Sequence, residues 1–109
     1  MVTKKKLLIC VIIVIIILII IFVNFVHALT TFSIEKWNEN VYQREWMLND
    51  FLEKYNLVGM SYGEIINLLG SNYFDGNKYL IGKSYVGPKF FSITFDKNNK
   101  VESYGIIVD

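Results

Sequence analysis

The sequence has very little cysteine and histidine, and both shortages exclude kinds of chemistry. Cys10 is the single cysteine and lies within an apolar run, so no disulfide can form within the chain and no cysteine-based zinc site is expected. His27 is the single histidine and lies near the end of the same run. Catalysis requires a nucleophile with a base, paired carboxylates or a metal cluster, and the remaining residues suggest none of these. We therefore expect no enzyme, no metal or other cofactor, and no small-molecule substrate.

Charge is absent from a long stretch, because residues 7–34 contain no aspartate, glutamate, lysine or arginine. The lysines at 4–6 are three of eleven basic residues, which leaves eight basic against ten acidic residues after Ala28, a net charge of −2. Positive and negative residues are interspersed there, so the domain lacks the basic surface that nucleic-acid binding requires. We expect no nucleic-acid partner.

The uncharged stretch is dominated by isoleucine, leucine and valine. Leu7 to Val23 is an unbroken apolar run of seventeen residues, and the apolar pattern resumes after Asn24 with Phe25 and Val26. A helix of this length crosses the ~30 Å hydrocarbon layer of a bilayer. Three lysines precede the run and no comparable cluster follows it, which predicts a cytoplasmic amino terminus and an external carboxyl-terminal domain.

The chain is therefore expected to have four parts. Residues 1–6 form a basic cytoplasmic tail, 7–28 a transmembrane signal anchor, 29–33 a joint and 34–109 an extracytoplasmic domain. Cleavage after Ala28 is the alternative, because residues 26–28 resemble a signal peptidase site. The apolar run exceeds the ~7–15 residues of a signal-peptide core, which favours an uncleaved anchor in the cell membrane.

An amphipathic helix is predicted from about residue 34 to 55. Ser33 can cap its start, and Glu35 lies favourably in the first turn. Its apolar stripe recurs at steps of three and four residues, as Ile34, Trp37, Val41, Leu48, Phe51 and Tyr55. Its charged residues are expected to face solvent. Trp37, Tyr42 and Trp46 are expected to pack between helices or to anchor the chain at the membrane interface.

A second, short helix is marked at both ends. Ser61 and Glu64 have the spacing of a capping box, while Met60 and Ile65 have that of a hydrophobic staple. Gly70 is suited to a helix C-cap, because glycine readily adopts positive φ. These five residues are predicted to have a structural role.

Alternating patterns then predict three strands, at 78–82, 90–95 and 101–108. Pro88 precedes the middle strand, and a type I turn with Asn99 in the left-handed region would join the last two strands. The predicted fold class is α+β: an N-terminal transmembrane helix followed by two helices packed on one face of a three-stranded antiparallel β-meander.

One face of the predicted sheet carries the candidate partner-binding residues. Pairing Asp96 with Lys100 would place Phe91 opposite Gly105 on the helix-covered face. The other face would then be unusually apolar for an exposed surface, and its candidate contact residues are Phe90, Ser92, Tyr104 and Ile106. The alternatives are that the first helix or the membrane covers these residues, or that the register differs.

The domain resembles a known family through a series of short motifs. They are Arg44-x-x-Met47-x-x-Asp50-Phe51, the block G-M-S-x-x-E-I-x-x-L-L-G at 59–70, Tyr79-x-Ile81-Gly82, Ile93-x-Phe95-Asp96 and Lys100-Val101. This pattern resembles small bacterial cell-envelope domains of the SmpA/OmlA type. That superfamily includes the smallest lipoprotein of the outer-membrane β-barrel assembly machine, and its fold is similar to the repeats of β-lactamase inhibitor protein. The transmembrane anchor departs from the lipidated cysteine of that family, and Asn98-Asn99 replaces the usual Asn-Gly of the last turn.

The resemblance implies an extracytoplasmic domain that docks on other envelope proteins. We expect a single-pass, membrane-anchored protein-interaction domain of the bacterial cell envelope, whose partners are the membrane and another envelope protein. The alternative is an inhibitor or immunity-type protein that blocks an envelope enzyme's cleft with Tyr73, Phe74 and Tyr85. Fold analogy permits this second function without selecting it.

Overall fold

The computed structural model describes residues 3–109, so the first two residues of the predicted tail lie outside the described part. Four α-helices precede three strands, and a short 3₁₀ turn at Val41–Gln43 joins the second and third helices. The helices are α1 (Lys4–Thr30), α2 (Ile34–Glu39), α3 (Arg44–Lys54) and α4 (Tyr62–Leu69), and the strands are β1 (Lys78–Lys83), β2 (Pro88–Phe95) and β3 (Val101–Val108). The predicted α+β fold class is confirmed.

Helix α1 is long and apolar enough to cross a membrane, and it lies near the amino terminus. Membrane anchors and signal sequences share these properties. The Thr3 side chain caps its first turn by accepting from the Lys6 N–H, and none of the residues of α1 is buried. The helix includes Leu29 and Thr30, which the sequence placed in the joint. Only Thr31–Ser33 separate α1 from α2.

The single long helix predicted over 34–55 is wrong, because the chain leaves helical geometry at Asn40. This residue has φ −139° and ψ 100°, and its side-chain oxygen accepts a hydrogen bond from the Tyr42 N–H at 3.2 Å. Asparagine side chains compete for backbone groups in this way, which explains the interruption. The predicted cap at the start of α2 is confirmed, since the Ser33 hydroxyl accepts from the Lys36 N–H.

Helix α4 begins and ends where its local signals predict. The Ser61 hydroxyl caps the helix by accepting from the Glu64 N–H at 3.2 Å, as predicted. The Glu64 carboxylate accepts from the Ser61 hydroxyl at 3.3 Å, so it bonds the side chain of Ser61 and not the backbone N–H of a capping box. Ile65 is buried, and Met60 packs against the core. Gly70 closes the helix with φ 75°, as expected of a glycine C-cap.

The strands form an antiparallel meander in the order β1-β2-β3, with β3 at one edge. Asn99 has φ 62° in the turn between β2 and β3, which confirms the predicted left-handed position. The helices cover one face of the sheet. Between them lies a core of twelve apolar side chains, namely Trp37, Met47, Leu48, Phe51, Leu57, Ile65, Leu69, Tyr79, Ile81, Phe91, Ile93 and Val101.

Candidate functional site

The register of the last hairpin differs from the predicted one by a β-bulge. Phe95 opposes Val101 as expected, but Thr94 opposes Ser103, so Glu102 is an extra residue on β3. A bulge of this kind shifts every later pair by one residue and changes which face each side chain occupies. Phe91 consequently opposes Ile106 rather than Gly105.

This shift divides the four candidate partner-binding residues between the two faces of the sheet. Tyr104 opposes Ile93 and Ile106 opposes Phe91, which places both on the helix-side face. The remaining two candidates, Phe90 and Ser92, lie on the opposite face, where their partners on β3 are Ile107 and Gly105. The prediction that all four share one face is therefore wrong.

Strand β3 is nevertheless an exposed apolar surface. Beyond Val101 all its residues are exposed, including Tyr104, Ile106, Ile107 and Val108, whose exposed fractions are 41%, 52%, 41% and 44%. Apolar side chains are exposed on both faces of this strand, because the helices cover only one face of the sheet and do not extend over β3 on that face. We call these four side chains the edge-strand surface.

On the helix side, the edge-strand surface continues from the core. The Tyr104 ring meets the ring of buried Phe91 edge-on, with a centroid separation of 5.8 Å. Ile106 lies opposite the same Phe91. The Phe91 ring supports the Tyr104 ring on one side, while 41% of the surface of Tyr104 is exposed to solvent. Such a fixed, half-exposed aromatic side chain costs little conformational entropy when it is buried by a partner.

The opposite face carries a shallow cleft of about 260 Å³ beside β1 and β2. It is lined by Tyr73, Phe74, Asp75, Lys78, Leu80 and Phe90. The Lys78 ammonium lies 4.3 Å from the centroid of the Phe90 ring and 3.0 Å from the Asp109 carboxylate. The Lys78 ammonium is thus already paired with Asp109 and Phe90, so the cleft would offer a ligand mainly apolar contacts.

The three residues of the alternative inhibitor hypothesis lie in different places. Phe74 stacks on Tyr79 with a centroid separation of 4.0 Å and is part of the packed structure. Tyr73 is exposed beside it, near the start of β1. Tyr85 lies past the other end of β1, and it and Val86 are largely exposed in the turn to β2. Tyr85 therefore does not form one surface with the other two.

Arg44 is the residue whose role sequence reasoning missed, because the charged residues of this region were expected to face solvent. Its side chain is completely buried, and its guanidinium donates to the carbonyls of Trp37, Asn72 and Leu80 at 2.7, 3.1 and 3.1 Å. Burial lowers the pKa of Arg44 to about 10, so it is still charged at neutral pH. Arg44 thus joins α3 to α2, to the loop before β1 and to β1 itself.

The titratable residues considered for chemistry are separated. Cys10 and His27 belong to α1, while Glu64 is engaged with Ser61. The Asp96 carboxylate accepts from two backbone N–H groups in its own turn, those of Asn98 and Lys100. Among residues 3–109 no group of three or more histidine, cysteine, aspartate or glutamate side chains is placed to hold a metal ion.

Comparison of the chain with protein-family models, with curated proteins and with solved structures gave no match. The resemblance to SmpA/OmlA domains therefore stays a prediction, and the functional argument depends on the edge-strand surface and on α1.

Proposed function

We propose that this chain is a single-pass membrane protein of the bacterial cell envelope whose external α+β domain binds another envelope protein through β3. The lysines at 4–6 begin α1, and the apolar run at 7–23 follows them; together they support an anchor with its amino terminus in the cytoplasm. The observation that carries the binding role is that β3 is a sheet edge with apolar side chains exposed on both faces.

An exposed apolar edge strand favours recognition by strand addition. At its first residue the edge is occupied, because the Val101 carbonyl accepts from the Gly59 N–H and the Val101 N–H donates to the Met60 carbonyl. From Ser103 onward β3 pairs only with β2 among the described strands, so its outer backbone groups there are available to an extended segment of a partner. Main-chain hydrogen bonds would supply affinity, and side chains such as Tyr104 and Ile106 would supply specificity. Monomeric proteins usually protect such edges with charges, proline or β-bulges. In β3 the one charge and the one bulge both occur at Glu102, and residues 103–108 have neither a charge nor a proline.

The test is site-specific photo-crosslinking in intact cells, with the photoreactive residue in place of Tyr104 in the full chain. We expect one major adduct, which mass spectrometry identifies as an envelope protein. That protein, purified, should bind the full chain in detergent. Ile106→Lys should weaken this binding by roughly 10- to 100-fold, as expected for an interface residue of large effect.

Val58→Lys is the matched control, because Val58 is 55% exposed, as Ile106 is 52% exposed. Val58 lies in the turn before α4, which meets β3 at Val101, the opposite end of the strand from Ile106. Val58→Lys should bind the partner like wild type, and both variants should unfold at the wild-type denaturant concentration. Equal binding by wild type and Ile106→Lys would contradict a β3 interface. Loss of folding in Ile106→Lys would instead assign Ile106 to the core.

The exposed turn between β1 and β2 favours one alternative, an inhibitor that inserts Tyr85 and Val86 into an enzyme cleft. Their exposed fractions are 109% and 82%, so they protrude from the sheet with little support. In that case the full chain should inhibit an envelope hydrolase, and Tyr85→Ser should abolish inhibition while Ile106→Lys leaves it intact. The opposite pattern would favour the edge-strand surface.

A further inference from the structure

Two hydrogen bonds hold the end of α1 and the connection that follows it against the domain. The Phe32 N–H donates to the Asp50 carboxylate of α3 at 2.7 Å. The Lys36 ammonium of α2 donates to the Ala28 carbonyl in the last turn of α1 at 2.6 Å. Because the first bond holds the connection on α3 and the second spans the connection, the orientation of the domain follows that of α1.

The length of α1 sets the height of this junction above a bilayer. A hydrocarbon layer of ~30 Å takes ~20 helical residues, so a span that begins at Leu7 ends near Val26. His27 to Thr31 then lie within about 7.5 Å of the hydrocarbon boundary, at a rise of ~1.5 Å per residue. The headgroup layer is roughly 5–8 Å thick on each side, so it contains this turn.

Trp46 of α3 lies at the same height. It lines a cleft of about 290 Å³ with His27, Thr30 and Thr31 of the α1 end, and with Asn49, Asp50 and Glu53 of its own helix. Its side chain is 52% exposed, whereas Trp37, the only other tryptophan, is completely buried in the core. Tryptophan concentrates at membrane interfaces, where its ring is shielded from water and its N–H reaches polar headgroups.

We propose that Trp46 lies in the headgroup layer of the bilayer that α1 spans, so that this side of α3 rests on the phospholipid surface. The partner of this surface is the bilayer itself, because the surface is continuous with the membrane-spanning helix. The inference rests on the anchoring part of the proposed function and is independent of the β3 interface. Trp46 fixes the tilt of the domain on the membrane.

The test measures tryptophan quenching in the full chain, reconstituted at low density into phosphatidylcholine vesicles that contain no other protein. Trp37→Phe leaves Trp46 as the only tryptophan, and Trp46→Phe leaves Trp37 as the matched control. Trp37 Nε1 has no hydrogen-bond partner among the described residues, so phenylalanine removes no such bond. Should Trp37→Phe fail to fold, subtracting the Trp46→Phe spectrum from that of wild type gives the Trp46 signal.

Lipids brominated close to the headgroup should quench Trp46 strongly, lipids brominated at the chain ends should quench it weakly, and aqueous iodide should quench it little. Trp37 should respond to neither lipid. Strong iodide quenching of Trp46 without lipid quenching would overturn the proposal. A bimane label on Cys10 reports separately on α1: if lipid bromine quenches bimane but not Trp46, the anchor stands and the seating of Trp46 fails. If lipid bromine does not quench bimane, both the membrane anchor and the position of Trp46 in the headgroup layer are overturned.

Discussion

The guanidinium of Arg44 lies 4.7 Å from the centroid of the Trp37 ring, inside the core. It carries the positive charge of the only arginine in the sequence, and no carboxylate pairs with it in the described chain. Three carbonyl groups and two aromatic rings surround it, the second ring being that of Tyr79. This arrangement requires a planar, multidentate cation.

Arg44→Lys should therefore destabilise the fold by about 2–4 kcal/mol, because a single ammonium cannot reach three separated carbonyls and leaves some without a donor. Urea unfolding of the full chain in detergent micelles, followed by tryptophan fluorescence, measures the change. The control is the reverse exchange at an exposed site, Lys83→Arg, which should alter stability by less than about 0.5 kcal/mol. Equal stability of Arg44→Lys and wild type would contradict the role assigned to Arg44.

Tyr79 supports the C-terminal end of α4. Its hydroxyl donates to the Gly70 carbonyl at 2.6 Å, and burial raises the pKa of Tyr79, so it stays protonated across the physiological range. Tyr79→Phe should cost about 1–2 kcal/mol, since a partly buried carbonyl loses its donor. Tyr42→Phe is the control, because Tyr42 is largely exposed and should show almost no effect in the same urea titration.

The two ends of α4 should respond in opposite ways to alanine. Gly63 lies within the helix, and a Cβ there would meet only the Ser61 hydroxyl at 4.0 Å, so Gly63→Ala should stabilise the domain by about 0.5 kcal/mol. Gly70 has φ 75° and a new Cβ would lie 3.4 Å from Asn38, so Gly70→Ala should destabilise it by about 1 kcal/mol. If both variants changed the thermal unfolding temperature in the same direction, the role assigned to Gly70 as the C-cap would be contradicted.

The junction of α1 with the domain should loosen in acid. Hydrogen bonds from Lys54 and from the Phe32 N–H hold the pKa of Asp50 below its usual range. The folded-state pKa is below the unfolded-state pKa of ~4. The carboxylate therefore contributes its full stabilisation at pH values above the unfolded-state pKa. This stabilisation is lost as pH falls through the folded-state pKa.

Hydrogen exchange of the Phe32 amide, measured in micelles from about pH 6 down to about pH 2 and corrected for intrinsic rates, tests this loosening. Protection should decrease in the acid range in wild type. In Asp50→Asn, protection should be weaker at neutral pH and should change little on acidification. Identical pH dependence in the two proteins would show that another group controls the junction.

Local signals predicted most of the fold correctly. The caps at Ser33 and Ser61, the glycine at position 70 and the left-handed Asn99 each depend on a few adjacent residues, and all are present in the structure. Strand order followed from short connections between alternating segments. The break at Asn40 was missed because an asparagine within an amphipathic pattern does not show whether its side chain will replace a backbone partner.

The errors at the candidate site have a different physical cause. Nothing in the residues around Glu102 marks it as an extra residue, yet one bulge moved Tyr104 and Ile106 to the other face. Arg44 lies three residues after Val41 and four before Leu48, so it continues the buried stripe, but its charge suggested solvent. Its acceptors on Asn72 and Leu80 are 28 and 36 residues away, which no local pattern reveals.

The hydrogen-bonded connection at Thr31–Ser33 limits the movement of the domain relative to α1. The described chain is 76 Å long and α1 accounts for roughly 40 Å of it, at ~1.5 Å per residue, so the domain extends about 35 Å beyond the helix. A flexible linker would let an anchored domain search a deep volume for its target. Here the reach is short and its direction is fixed. In the proposed anchored state a binding protein would therefore have to come close to the same membrane, and the encounter would be a lateral search in two dimensions.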